Sequence, residues 1–195
     1  MGMIVMEHDN EHVIPGEELY NRYITGNNEA FEKIVEMYKD ELYYFIYGMV
    51  HDYHESKQLM IEAFAQLAVS NKFARKSSLK TYLFAIAKNL AIRYVKMRKN
   101  KEYIPYEEIT DVLMDEGDTV ESLIEREDDR RYVQEAMRSL KEEYYTVLHL
   151  LYFEDMSYIQ AGKAMNRSVK QITDLAYRAK LALKKKLESD GFTYD

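Results

Sequence analysis

The chain contains no cysteine and no tryptophan, and only two prolines and seven glycines among 195 residues. Without cysteine it forms neither disulfides nor thiolate metal sites, which suits a reducing cytoplasm. So few prolines and glycines leave little of the turn grammar that a β-rich fold needs. No stretch approaches the roughly 18 uncharged apolar residues of a membrane span, and the opening MGMIVMEHDNEH has no signal-peptide pattern. Glycine-rich phosphate loops and the Gly-x-Ser-x-Gly elbow are missing as well. His8 with His12 and His51 with His54 stand at helical spacing, yet neither pair carries the glutamate of a His-Glu-x-x-His motif. These absences argue against an enzyme, a metal site, a cofactor and membrane insertion.

What is present is helical periodicity and segregated charge. Hydrophobic residues make up 47% of the chain and recur at helical spacing, so the expected fold is all-α. The formal net charge is −7, but that average conceals its distribution. Lys72, Arg75, Lys76, Lys80, Lys88, Arg93, Lys96, Arg98, Lys99 and Lys101 follow one another without an acid. From Glu102 to Asp129 the balance reverses, with Arg126 the lone cation, and Lys163 to Lys186 turns basic again. Two basic patches flanking an acidic span create local potentials suited to nucleic acid, whatever the total charge. Ordinary solvated helix faces are the plainer account of either patch alone.

Spacing and caps divide the chain into a disordered tail (1–15), a first helical domain (16–100), an acidic linker (101–128) and a second helical domain (129–190). In the first domain, a short helix from Glu17 to Thr25 closes on Gly26, and Asn28 caps a helix reaching Met49. His51 to His54 breaks the pattern before a third helix, Glu55 to Val69. After a basic loop, Ser77 or Ser78 caps a fourth helix reaching about Lys99. The linker carries Pro105, Gly117 and at most a helical turn near Ile109 to Leu113; at roughly 28 residues it exceeds usual connections. In the second domain the apolar run around Val147, Leu150 and Leu151 stops at Phe153-Glu154-Asp155-Met156, and Ser157 opens a short helix. A turn at Met165-Asn166-Arg167 leads to Ser168, which forms a Ser-x-x-Gln capping box with Gln171. The last helix turns Val169, Ile172, Leu175, Ala176, Ala179 and Leu183 inward and shows Lys170, Gln171, Thr173, Asp174, Tyr177, Arg178 and Lys180 outward. A short helix, a tight turn and a capped helix with a polar face form a helix-turn-helix that can read a major groove.

Residues 17–188 resemble the extracytoplasmic-function (ECF) sigma factors of the sigma-70 family. Ser78-Leu79-Lys80-Thr81-Tyr82-Leu83-Phe84-Ala85-Ile86-Ala87-Lys88-Asn89 looks like that family's Ser-Phe-Lys-Thr-Trp-Leu-x-x-Ile-Ala-Arg-Asn run. Leu140 to Tyr144, Phe153 to Tyr158 and Tyr177 to Lys180 resemble the opening of its region 4, the start of its helix-turn-helix and its x-Arg-Ala-Arg ending. Tyr82 stands where the family has tryptophan, and Arg93 where it has aspartate. Its Asp-x-x-Gln-Glu core-binding element appears as Gln58, Ile61 and Glu62, and a common Lys-Ser-Arg as Thr173-Asp174-Leu175.

The resemblance implies two helical domains, region 2 and region 4, that bind RNA polymerase core enzyme and promoter DNA; it also admits an anti-sigma factor as a partner. Region 2 would hold the single-stranded −10 element with Lys80, Lys88, Arg93, Lys96 and Arg98 on phosphates, and Tyr82 and Asn89 beside a base pocket. Core packing is the competing role for Tyr82, and backbone capping for Asn89. Region 4 would read duplex −35 DNA through Ser168, Lys170, Gln171, Thr173, Asp174, Tyr177 and Arg178. A salt bridge to Asp174 is the alternative use of Arg178. The acidic linker either mimics nucleic acid or simply keeps the span solvated. A helix-turn-helix regulator that does not act as an initiation factor is the alternative function.

Overall fold

The computed structural model describes residues 15–69, 73, 76–101 and 127–191. Residues 1–14 of the expected N-terminal tail, residues 102–126 of the expected linker with its helical turn at 109–113, and the basic residues Lys72 and Arg75 lie outside them; Lys101, Glu127 and Asp128, expected in the linker, belong to helices. Eight helices occupy the described residues, with no strand among them: α1 (Gly16–Ile24), α2 (Asn28–Val50), α3 (Tyr53–Val69), α4 (Leu79–Lys101), α5 (Glu127–Arg138), α6 (Glu142–Tyr152), α7 (Tyr158–Met165) and α8 (Val169–Ser189).

Local chemistry sets the boundaries. Gly26 follows α1 at φ 105°, the left-handed conformation that ends many helices. The cap of α2 is Asn27 rather than Asn28: its extended backbone leaves the side chain free to accept from Ala30 N at 3.2 Å. His51 ends α2 at φ 56°. Asp52 then accepts from Glu55 N at 2.9 Å, so α3 starts at Tyr53, ahead of the expected Glu55. Ser78, not Ser77, caps α4, its hydroxyl accepting from Thr81 N at 3.1 Å. Leu79 N donates to Glu17 Oε1 at 2.7 Å and ties α4 to α1.

In the second half, both Ser157 and Ser168 form capping boxes, with Gln160 and Gln171 respectively, so α7 and α8 each start at a doubly satisfied end. Asn166, at φ 55°, supplies the turn between them. Arg167 N donates to Gly162 O at 2.8 Å, and Arg167 O lies 2.7 Å from where a Cβ on Gly162 would sit, so the turn closes on a glycine. Val169, expected inward, is 45% exposed, because the packed stripe of α8 begins one turn later at Ile172.

The two helical groups do not stand apart. One continuous apolar cluster runs from Leu42, Phe45 and Ile46 of α2 through Phe84 of α4 to Leu148 and Leu150 of α6 and Ile172 of α8. α7 packs along α4, while α5 and α6 pack on α2. Phe45 sits at the centre, 5.2 Å from the rings of both Phe84 and His149.

Gly48 makes this approach possible. A methyl group there would fall within the van der Waals shell of Tyr145 Oη and Cζ, and Tyr145 is buried. Gly48→Ala should favour helix α2 by about 1 kcal/mol. Overpacking against a buried ring opposes that gain at about 1–3 kcal/mol. The expected net result is a loss of about 1 kcal/mol, read as a lower midpoint in urea unfolding; an unchanged or higher midpoint would show that Tyr145 does not occupy this place.

Candidate nucleic-acid interface

α8 presents a continuous polar face. Ser168, Lys170, Gln171, Thr173, Asp174, Tyr177 and Arg178 are all exposed, while Ile172, Leu175, Ala176 and Ala179 are buried behind them. Local hydrogen bonds sort this set. Gln171 Oε1 accepts from Ser168 N at 2.8 Å, and Thr173 Oγ1 donates to Val169 O at 3.0 Å, so both side chains are engaged with their own helix. Arg178 Nε donates to the backbone oxygen of Asp174 at 3.3 Å, not to its carboxylate. That contact aligns the guanidinium along the helix without neutralising it. Lys170, Asp174, Tyr177 and Arg178 then form the outward-facing set, behind a helix N-terminus whose dipole favours negative charge.

α4 divides its candidates between two faces. Tyr82, Asn89, Arg93 and Lys96 are separated by whole turns and share one stripe. On it, Asn89, Arg93 and Lys96 are exposed, and Tyr82 is half-buried with its ring 5.4 Å from Phe73, which favours the packing role. Arg93 pairs with Glu62 of α3 at 2.9 Å. Gln58, Ile61 and Glu62 lie on one side of α3, where Ile61 is 57% exposed. Arg93, where the resembling family has aspartate, therefore places a cation against Glu62, the acid expected to belong to a core-binding element.

Lys80, Lys88 and Arg98 fall on other sides of α4 and have protein partners. Lys88 is buried, and its Nζ donates to Ala164 O at the end of α7, 3.0 Å away. Burial and the nearby Arg167 guanidinium push the Lys88 amine below its ordinary pKa. Lys80 Nζ lies 2.9 Å from Glu154 Oε2 and 3.0 Å from Glu41 Oε2. Burial works against the Lys80 charge, but the two carboxylates outweigh it and hold its pKa above the ordinary value. Arg98 Nη1 reaches Val50 O at 3.5 Å.

Sequence reasoning missed the acceptors on the other side. Glu154 is 6% exposed and its Oε1 lies 2.9 Å from His149 Nε2. Burial alone would raise the Glu154 pKa, yet His149 and Lys80 together hold it below the ordinary glutamate value. The opposite ring nitrogen, His149 Nδ1, is 3.1 Å from Tyr145 Oη, which also lies 3.3 Å from the backbone oxygens of Tyr44 and Phe45. A polar chain thus runs from α2 through Tyr145, His149 and Glu154 to Lys80 on α4. A histidine inside the apolar run Val147 to Leu151 was the available signal, since a polar ring at a core position needs partners. Among the described residues, no group of three or more histidines and acids could hold a metal, and no helix is long and apolar enough to cross a membrane.

Residues 34–101, covering most of α2 together with α3 and α4, match Sigma-70 region 2. The chain is 28% identical over 170 residues to the ECF RNA polymerase sigma factor SigW of Bacillus subtilis, spanning 83% of this chain and 91% of that protein. Its fold superposes with a TM-score of 0.66 on CnrH, solved in complex with the cytosolic domain of CnrY, covering 90% of this chain and 98% of that one at 18% identity. The sigma factor RpoE of Bartonella quintana, solved with the anti-sigma factor NepR, gives a TM-score of 0.60 over 82% of this chain and 98% of its own, at 17% identity.

Proposed function

Since the chain belongs to the ECF group of the sigma-70 family, we propose that it directs RNA polymerase core enzyme to promoters through three surfaces of its own. Region 4, residues 129–190, reads duplex −35 DNA with the outward side chains of α8: Lys170, Asp174, Tyr177 and Arg178, with Ser168, Gln171 and Thr173 holding the helix start. Region 2, residues 16–100, follows the single-stranded −10 element along α4, with Arg93 and Lys96 on phosphates and Asn89 beside a base. Lys80, Lys88 and Arg98 join them once released from their protein partners, and Tyr82 supports the stripe from its packing against Phe73. Gln58, Ile61 and Glu62 on α3 dock the core enzyme, and residues 101–128 connect the two regions.

The observation that carries this function is the occurrence, on one chain, of the region 2 match over α2 to α4 and a capped helix, α8, with an exposed polar face. Sigma factors are in general regulatory and not catalytic; the proposal extends this to the present chain, without cofactor or metal, acting in the cytoplasm. The complex of one fold relative, RpoE, with the anti-sigma factor NepR supports an anti-sigma factor as a further partner.

Run-off transcription with purified bacterial core polymerase, on DNA from upstream of the chain's own gene, tests the proposal. The expected result is a discrete transcript that appears only when the protein is added. Duplex binding without any transcript would instead favour a helix-turn-helix regulator.

A further inference from the structure

We propose that α8 reads thymine through an apolar ridge, with Val169 and the methyl group of Thr173 resting against the 5-methyl groups of A·T pairs in the major groove. The inference rests on the reading of α8 as the −35 helix. It adds the class of base pair that the first turns of that helix select.

The ridge follows from the position of Val169. It is the first residue of α8, directly after the cap Ser168, and is 45% exposed although Ile172 and Leu175 are fully buried. The N-terminal residues of a groove-reading helix are those that reach base edges. This valine therefore stands where a base reader stands, with no polar atom in its side chain. Thr173 follows four residues later on the same side of the helix, and Tyr177 four after that, both exposed. The Thr173 hydroxyl is committed, its Oγ1 donating to the Val169 carbonyl oxygen at 3.0 Å. What Thr173 has left to offer a base is its methyl group. Val169, Thr173 and Tyr177 thus line one ridge of α8, while Lys170, Asp174 and Arg178, also four apart, line a charged ridge beside it.

The two ridges suit different bases. Every base pair offers hydrogen-bonding groups in the major groove, but thymine alone adds an apolar one, its 5-methyl group. An arginine fork reads guanine and has nothing to gain from a methyl group. Val169 and Thr173 cover that methyl with carbon and withdraw both surfaces from water. The same contact works against cytosine, whose amino group would be brought up to a surface with no acceptor. The apolar ridge therefore separates thymine from cytosine where the charged ridge supplies no fork.

Uracil tests this without touching the protein, since it pairs as thymine does and lacks only the 5-methyl group. Holoenzyme is reconstituted from bacterial core polymerase and this chain, and the run-off start site locates the −35 segment upstream of the chain's own gene. Two fluorescein-labelled duplexes of that segment are compared by anisotropy, one carrying thymine and one carrying uracil in both strands. The ridge predicts tighter binding of the thymine duplex by the parent, about fourfold for each methyl group buried. Val169→Ala and Thr173→Ser should each bring the ratio of the two affinities towards one. Serine keeps a hydroxyl for the Val169 carbonyl and loses only the methyl, so its effect on the ratio does not come from a lost helix contact. Equal affinity of the parent for the two duplexes overturns the ridge, and so does a thymine preference that both variants keep in full. In either case a chain-dependent transcript leaves the promoter-reading function standing. Absence of a transcript and of binding to both duplexes removes that function, and the ridge with it.

Discussion

Glu154→Ala is expected to destabilise the protein by about 3–5 kcal/mol, the range for deleting one partner of a buried ion pair. The carboxylate is 6% exposed and serves two cations or donors at once, Lys80 Nζ at 2.9 Å and His149 Nε2 at 2.9 Å. The His149 ring meets the Glu154 carboxylate through Nε2 and Tyr145 Oη through Nδ1. Truncation therefore breaks the chain at its middle: Lys80 keeps only Glu41, and His149 keeps only Tyr145. For a chain of this size the thermal midpoint should fall by roughly 10 °C. Glu154→Gln should cost less, because an amide oxygen still accepts from His149, and the difference between the two variants reports the value of hydrogen bond against charge. A midpoint within about 2 °C of the parent for Glu154→Ala would mean that the carboxylate is solvated, not clamped between the halves.

The same group gives the stability a pH dependence whose sign follows from its lowered pKa. A carboxylate held below its unfolded value contributes stability above that value and loses it as pH falls through the folded one. For Glu154 the loss begins as pH drops towards the ordinary 4.5 and is complete only below it. Lys80, held above its ordinary 10.5, contributes below that value and loses its share as pH rises through the higher one. Glu142 works in the opposite sense, since burial raises its pKa and protonation favours the fold. Unfolding midpoints of parent and Glu154→Gln across pH 3 to 7 should therefore converge at the acid end, and parallel curves would exclude the assignment.

These two effects arise where the sequence was least informative. Helix ends were legible because their causes are local: Gly26, Ser157 and Ser168 act on neighbours within four residues, and each does so in the structure. The outward face of α8 was legible because one period separates it from the Ile172, Leu175 and Ala179 stripe. By contrast, the contact between Lys88 and Ala164 joins residues far apart in the chain, and nothing in a basic, periodic helix tells a phosphate-seeking lysine from one already satisfied. Charge clustering pooled Lys80, Lys88 and Arg98 with Arg93 and Lys96, although helical geometry points the two groups in different directions. Glu154 read as a loop breaker because its partners, Lys80 and His149, are assembled only when the halves meet.

Arg178→Ala should reduce affinity for the specific duplex by about 1–3 kcal/mol, roughly 5- to 150-fold, and flatten discrimination at one base pair. The side chain is exposed, and its bond to the Asp174 backbone oxygen uses Nε alone, leaving the two terminal nitrogens for the fork that matches a guanine edge. Arg178→Lys separates the two ways such a residue can act. A phosphate contact survives as a point charge in lysine, whereas a two-pronged base contact does not. Equal losses for alanine and lysine would thus mark base reading, and near-recovery by lysine would mark backbone attraction, which should also appear as a shallower salt dependence in the alanine variant. Core-enzyme capture provides the internal control, since Gln58, Ile61 and Glu62, the residues proposed to dock core enzyme, lie on α3 in the other half of the molecule. It should be unchanged in both variants; a loss of capture parallel to the loss of DNA binding would show that Arg178 supports the fold and does not read the promoter.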